Sequence, residues 1–320
     1  MNKQFKNTLM LGNGFNLSIF SNAPDWKSLY YDKNVGLIDN HNYTLLYEMN
    51  LVQKQNSDNQ YKRIMVDKLR SYTGLDNIRK KALNIDSFGK LLQKHGIQNI
   101  ITTNYDKGIE NILCGRNGYK EAWPPNIEKS YGEKIYSIRR NIMLKRGNSE
   151  IRIWKIHGDI DNIASVSLGF DQYCGALAKI DSYLKGKYNS STYATESVKP
   201  MRDKCEADDY SDMSWIDLFF NSNVYIACFG MDFSETDIWW LINKRIRFIK
   251  QGIPIKNKIV YLYNEYDTGE SCMKKCIKAN KEKKKAFEEK MNTLKAFGVE
   301  CKRMESGERC IPSLFEHIDL

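Results

Sequence analysis

Short apolar runs recur along the chain, and four of them stop abruptly at a polar or glycine-rich turn. They are TLMLGNGFN (8–16), IITTNYD (100–106), IWKIHGD (153–159) and VYIACFGMDFSETD (224–237). Run length and β-branched content predict buried strands over 8–11, 97–102, 151–156, 223–229, 258–263 and 299–304. Helical spacing fills the intervals. Ile64, Val66 and Leu69, then Ile78, Ala82, Ile85, Phe88 and Leu92, predict two helices between 61 and 95, broken near Thr73-Gly74 and closed at His95-Gly96. A further helix is expected from Asp106 to Leu113, and one carries Tyr173, Leu177, Ile180, Leu184 and Tyr188 on a single face. A short helix over 214–221 and a long one ending near 250 complete the pattern, with Trp239 and Trp240 expected in the core. Two stretches lack a period. Residues 114–150 are mixed and basic, with a rigid turn at Trp123-Pro124-Pro125, and the Ser/Thr/Asp-rich segment 189–212 reads as a mobile loop or lid.

Strands alternating with helices predict an α/β fold: a Rossmann-like, mostly parallel sheet with helices on both faces and helical insertions. No repeat or Pro/Gly/Ser linker divides the sequence, so residues 1–320 are expected to form one domain. Its motif-bearing core would span 8–240, with C-terminal strands and a basic helix over 255–320.

Composition narrows the setting. The apolar fraction of 42% and charged fraction of 28% are those of a soluble globular protein. Apolar runs reach only about seven residues, against the roughly 18 that a membrane span needs. The N-terminal MNKQFKNTLML does not read as a signal peptide, because Gly12 and Asn13 cut its apolar stretch short. The eight cysteines form no CxxC pair, and Cys272 and Cys276 lack a partner pair at zinc spacing. Free thiols and a cytoplasmic location without membrane contact are expected. Much of the net charge of +10 sits in KKCIKANKEKKKAFEEK (274–290). There Ile277, Phe287, Met291, Leu294 and Phe297 suggest an amphipathic helix with a solvated lysine face, ended by Gly298. A surface that meets nucleic acid is the alternative reading of the same stretch.

The turns carry the candidate chemistry, because the carboxyl ends of parallel strands open onto a shared crevice. Gly12 and Gly14 permit a sharp turn whose N–H groups, with the following helix N-terminus, suit a phosphate. The full dinucleotide fingerprint is not met, since Leu17 stands where its third glycine would be. Asp106 reads as a helix cap. Asn104 offers both donor and acceptor at a strand end, which suits a ribose hydroxyl or a water. Taken alone, His157 on an apolar strand reads as a hydrogen-bonded core residue, although imidazole also suits proton transfer. In the last turn, Ser234 or Asp232 would cap a helix with Glu235 and Asp237 in its first turn. The same turn offers Gly230 and Ser234 to a nucleotide.

Taken in order, these turns resemble the sirtuin-like NAD-consuming family, and more closely its branch in bacterial anti-phage (abortive infection) defence. Gly12-Asn13-Gly14 followed by Pro24-Asp25-Trp26 resembles the family's Gly-x-Gly and Pro-Asp-aromatic. Thr102-Thr103-Asn104-Tyr105-Asp106 resembles its Thr-x-Asn-x-Asp, His157-Gly158 its His-Gly, and Gly230 to Asp237 its late turn. The likeness covers roughly residues 8–240. It implies an NAD glycohydrolase that takes NAD as substrate and retains no cofactor or metal. The implied catalytic residues are Asn104, orienting the nicotinamide ribose and water, and His157, acting as general base. The implied substrate contacts are Gly12, Gly14, Phe15, Asn16, Asp25, Thr103, Asp106, Gly230 and Ser234. The family's deacetylases carry a four-cysteine zinc module between the His-Gly strand and the late turn. Here only Cys174, Cys205 and Cys228 fall in that interval, so NAD cleavage without deacetylation is expected. The resemblance further implies a homo-oligomer and activation by a phage component or an ATPase partner. An ADP-ribosyltransferase, or a non-catalytic nucleotide or nucleic-acid sensor, is the alternative.

Overall fold

A computed structural model describes residues 6–30, 43–54, 58–79, 85–122, 138–188, 198–210, 214–263, 277–304 and 311–318. Its centre is an eight-stranded sheet in the order β3-β4-β5-β2-β1-β6-β7-β8. The strands are β1 (Lys6–Leu11), β2 (Ile97–Thr102), β3 (Lys120–Ala122), β4 (Ile142–Arg146), β5 (Ser149–Lys155), β6 (Ser222–Ala227), β7 (Ile259–Tyr263) and β8 (Glu300–Arg303). From β5 through β2, β1, β6 and β7 to β8 every pairing is parallel, whereas β3 and β4 join antiparallel at one edge. The parallel run therefore has the doubly wound Rossmann order, and its direction of winding reverses between β1 and β6.

Alternation along the strands explains why both faces are covered. Leu9, Leu11, Ile100, Ile153, Tyr225, Ala227 and Val260 point into one core, under the helices Asn13–Ile19, Tyr43–Lys54, Asp58–Tyr72, Phe88–Lys94 and Gly108–Asn117. Met10, Ile101, Trp154, Val224, Ile226 and Tyr261 point into the other, under Phe170–Leu184, Met201–Ala207, Trp215–Asn221, Thr236–Lys250 and Ile277–Ala296. A strand buried on both faces has no polar side to show. That is why these strands read as unbroken apolar runs.

Several expectations need correction. In Asp58–Tyr72 the buried face is Tyr61, Met65, Val66, Leu69 and Tyr72, while Ile64 is exposed. No helix starts at Ile78, which instead bridges Phe20. The described helix on this segment is Phe88–Lys94, preceded by a 3₁₀ turn at Ile85–Ser87. Tyr188 lies past the end of its helix, which stops at Leu184 before Gly186 at φ +70°. Within 189–212, Met201–Ala207 is a helix with Met201, Lys204 and Cys205 buried. Lys204 Nζ donates to Tyr183 Oη at 2.8 Å and pairs with Asp217 Oδ1 at 3.3 Å, which ties three helices together. That part is a pinned helix rather than a loop. The Trp123-Pro124-Pro125 turn and the stretch 189–197 lie outside the described residues.

The basic segment is a helix, Ile277–Ala296, with Met291 and Leu294 buried and Lys284 and Lys285 exposed; Phe297 follows it, and Gly298 takes φ +74°. Trp239 is buried, and Trp240 is half-buried beneath Lys244. Cys114, Cys174, Cys205, Cys228 and Cys301 are free thiols. No helix among the described residues is long and apolar enough to cross a membrane.

Candidate functional site

Strand register brings the turns together. Leu11 pairs with both Thr102 and Ala227, and Thr102 pairs with Lys155, so β1, β2, β5 and β6 end at one level. The next residues all leave the sheet along the same edge. Side chains then fasten the strand ends to one another. Thr102 Oγ1 donates to Leu11 O at 2.8 Å and accepts Asn104 N at 3.1 Å. Asn104 is buried, and its Nδ2 donates to Gly12 O at 3.2 Å. With the amide so oriented, Oδ1 is left without a hydrogen-bond partner. A buried acceptor with no donor costs about 1–3 kcal/mol, so it calls for an explanation outside the fold's own bonding.

His157 follows β5 and is held from both sides. Its carbonyl accepts Ser167 N at 2.8 Å, and Tyr105 Oη donates to Ser167 O at 2.7 Å, which stitches the Asn104 turn to the His157 turn. Gly158 has φ +105°, and a Cβ there would lie 2.2 Å from Ser165 O, so no other residue fits beside His157. The ring packs edge-on against Tyr173 at 5.3 Å between centroids. Nε2 is 2.9 Å from Asp237 Oδ2, and Nδ1 is 3.6 Å from Glu235 Oε2.

The late turn supplies both carboxylates by reaching from the end of β6 across β1 and β2 to the end of β5. Its backbone is tight: Cys228 and Met231 take φ +53° and +46°. Such left-handed positions are uncommon outside glycine and mark a turn constrained by its surroundings. The helix it opens begins at Thr236 with Glu235 at the N-cap position, rather than Ser234 or Asp232. Asp237 Oδ1 accepts Ile238 N at 2.9 Å, so both of its oxygens are engaged. Glu235 Oε2 is buried and has no hydrogen-bond partner.

Burial pulls the His157 imidazole toward its neutral form, but Asp237 and Glu235 outweigh it and push its pKa up to about 9. Burial raises the Glu235 carboxyl; His157 lowers it, Asp237 and Asp232 raise it again, and it lies at about 7. The two carboxylates thus favour the protonated imidazole, in which His157 is a donor toward both of them. Among the described residues His157, Glu235 and Asp237 also have donor atoms within 4.8 Å of one another, as a metal centre would need. The two ring nitrogens, however, face different carboxylates. A protonated imidazole between two anions accounts for that arrangement without a cation shared by all three.

These shifts predict how stability depends on pH. The folded pKa of His157 is raised from 6.5 to about 9, so its contribution is fully present below 6.5 and is lost as pH rises through 9. The Glu235 shift, from 4.5 to about 7, also favours the protonated form in the fold and acts in the same direction at lower pH. Thermal melting is expected to fall between pH 7 and 9.5, with His157 contributing on the order of 3 kcal/mol at 1.36 kcal/mol per pKa unit. His157→Gln should remove the decline near pH 9. A wild-type melting temperature that stays flat over that range would contradict the ion-paired histidine.

The other sequence-predicted positions divide into two groups. Phe15 and Asp106 are spent inside the fold, whereas Asn16 is buried with Nδ2 engaged and Oδ1 without a hydrogen-bond partner. Phe15 packs on Phe88 at 5.6 Å, and Asp106 Oδ2 accepts Asn16 Nδ2 and Tyr72 Oη, each at 2.7 Å. Asp106 Oδ1 accepts Gly108 N at 2.8 Å. The helix, however, is Gly108–Asn117 with Lys107 at the N-cap position, so Asp106 lies one residue ahead of the cap and the expected start at Asp106 is corrected. Gly12 and Gly14 lie against the late turn: a Cβ would come within 2.4 Å of Phe229 at Gly12 and 2.7 Å of Cys228 O at Gly14. Gly14 N donates to Cys228 O at 2.9 Å and Gly12 N to Ala227 O at 3.4 Å, so these N–H groups are engaged within the protein. The glycines serve close approach of two turns at the reversal point of the sheet, where phosphate-facing N–H groups had been expected.

The second group stays near the surface or beside the strand ends. Asp25 is exposed and accepts Ser28 N and Oγ at 2.7 and 2.6 Å, at the start of the helix Trp26–Tyr30. Thr103 is buried next to Asn104, Gly230 is exposed with open space at its Cα, and Ser234 is half-buried. Sequence reasoning did not single out Glu235 and Asp237 as site residues. Their only signal was two acidic residues at a helix start, which capping explains equally well.

A family model described as a SIR2-like domain matches residues 98–199, a span holding both the Asn104 and the His157 turns. The match supports a sirtuin-like family and NAD-dependent activity in general. No curated protein matches the chain.

Proposed function

We propose that this chain is an NAD glycohydrolase, cleaving the nicotinamide–ribose bond of NAD and passing the ADP-ribosyl group to water. One observation carries the reading. Two buried acceptors without donors, Asn104 Oδ1 and Glu235 Oε2, belong to turns at the same edge of a Rossmann-ordered sheet, beside a histidine held by carboxylates. A ligand suited to that edge brings hydrogen-bond donors and positive charge. Ribose hydroxyls and an attacking water supply the donors, and the pyridinium ring supplies the charge.

The electrostatics favour the bond-breaking step. As the nicotinamide leaves, positive charge moves onto the ribose as an oxocarbenium-like centre, which an enzyme stabilises by offering fixed negative charge. With His157 protonated and both carboxylates ionised, the cluster carries a net charge of about −1, against about +1 for the histidine alone. Asn104 then orients a ribose hydroxyl or the water through Oδ1, its Nδ2 being tethered to Gly12 O. His157 holds the carboxylates in place. NAD is a substrate in this reading, not a retained cofactor. Use of the activity in anti-phage defence by NAD depletion, a homo-oligomeric state, and activation by a phage component or an ATPase partner rest on the motif resemblance alone.

The test is incubation of the purified chain with NAD, followed by chromatography of the products. Nicotinamide and free ADP-ribose together are expected. Nicotinamide without free ADP-ribose would mean transfer to another acceptor, and unchanged NAD would overturn the reading.

A further inference from the structure

We propose that Glu235 is the general base of this reaction, the carboxylate that takes the proton of the attacking water; the assignment rests on the NAD-cleaving reading above. It follows from comparing the carboxylates at this edge. Asp237 has a side chain only 1% exposed, and both of its oxygens are engaged. Asp106 is bonded to Asn16, Tyr72 and Gly108. Asp25 and Asp232 are exposed, and each accepts from a neighbouring backbone N–H, of Ser28 and Ser234 respectively. Glu235 differs from all of them. Its side chain is 13% exposed, enough to meet a water, yet Oε2 is shielded and lacks a donor.

Its neighbours suit the task. The His157 side chain is 3% exposed and sits between Glu235 and Asp237, so it reaches solvent less than Glu235 does. The charged and titratable groups around Glu235 are His157, Asp237, Asp232 and the Tyr105 hydroxyl, which is held neutral by burial and by Glu235 and Asp237. The Glu235 pKa of about 7 is matched to proton transfer near neutral pH. In the step itself, the C1′–N bond breaks and its electron pair passes to the pyridine nitrogen, releasing neutral nicotinamide. The water oxygen bonds to C1′, its proton moves to the Glu235 carboxylate, and that proton then leaves to solvent. NAD⁺ and water give ADP-ribose, nicotinamide and a proton.

The test compares the wild-type chain with Glu235→Gln, which keeps the side-chain shape, and with Glu235→Ala. Glu235→Gln is expected to lower NAD cleavage by about 10²–10⁴-fold and to flatten the acidic limb of the pH–rate profile. NAD binding, followed by calorimetry, should stay within about threefold of wild type, since the loss is confined to the transition state. Sodium azide should restore nicotinamide release to Glu235→Ala and yield ADP-ribosyl azide, because azide attacks without a proton to lose. Glu235→Gln cleaving NAD at the wild-type rate with an unchanged pH profile would overturn the assignment while leaving the NAD reading intact. A wild-type chain that leaves NAD untouched would overturn both.

Discussion

Asn104→Ala is expected to lower NAD cleavage by about 10²–10³-fold, the loss typical of removing one preorganised polar group that acts in the transition state. Its melting temperature should change little. The side chain makes one intramolecular bond, Nδ2 to Gly12 O at 3.2 Å, worth about 1 kcal/mol net. Removing that bond does not orphan the carbonyl, because Gly12 O also accepts Phe15 N at 3.1 Å. A loss of that size lowers the melting temperature of a chain this long by about 2 °C. A side chain that contributes so little to folding, yet is buried with a vacant acceptor, is placed for a ligand. Cleavage rates compared at matched folded fractions check this directly, and a variant as active as wild type would remove Asn104 from the mechanism.

Lys155→Met is expected to have the opposite signature, a stability loss of about 3–5 kcal/mol in urea unfolding. The ammonium is a buried junction. Nζ donates to Asp106 O at 2.6 Å and Tyr105 O at 3.3 Å, and pairs with Glu110 at 2.7 Å and Asp159 at 3.3 Å. The Lys155 and Glu110 side chains are 4% and 3% exposed. Burial holds Lys155 toward neutrality, but Glu110 and Asp159 overcome it and keep the amine charged. Burial likewise raises the Glu110 carboxyl, and Lys155 draws it back down. Methionine would strand Glu110 in the core and remove the Lys155 bond to Asp106 O, while Tyr105 O keeps its bond from Ile160 N at 3.0 Å. The double variant Lys155→Met/Glu110→Leu should recover part of the loss, since replacing both members of a buried pair by apolar groups removes the stranded charge. A single variant as stable as wild type would show that the junction bears no weight.

The strand-and-turn units were readable because strands buried on both faces must be apolar throughout and must end where the backbone turns to meet a crevice. Ile97–Thr102 coincides with its predicted range for that reason. Elements held by tertiary bonds were not readable. The antiparallel pair of Lys120–Ala122 and Ile142–Arg146 lies at one side of the sheet, where lysine and arginine interrupt the apolar pattern. Met201–Ala207 carries mixed charges, and its order depends on Lys204 meeting Tyr183 and Asp217, partners 21 and 13 residues away.

The site divides the same way. Asn104 and His157 stood out because each polar residue ends an apolar run, a local signal. Glu235 and Asp237 did not, because acidic residues at a helix start satisfy a local rule. Only the path of the late turn across β1 and β2 shows that they face His157. The glycines, which drew the eye first, are occupied in packing Gly12 and Gly14 against Phe229 and Cys228.

The central claim is that this strand-end edge breaks the nicotinamide–ribose bond with water as the acceptor. Proton NMR of the wild-type chain mixed with NAD follows every species in that reaction at once. The account predicts NAD signals decaying while free nicotinamide and ADP-ribose grow in equal amounts. NAD signals that persist unchanged, or nicotinamide appearing without ADP-ribose, would contradict it.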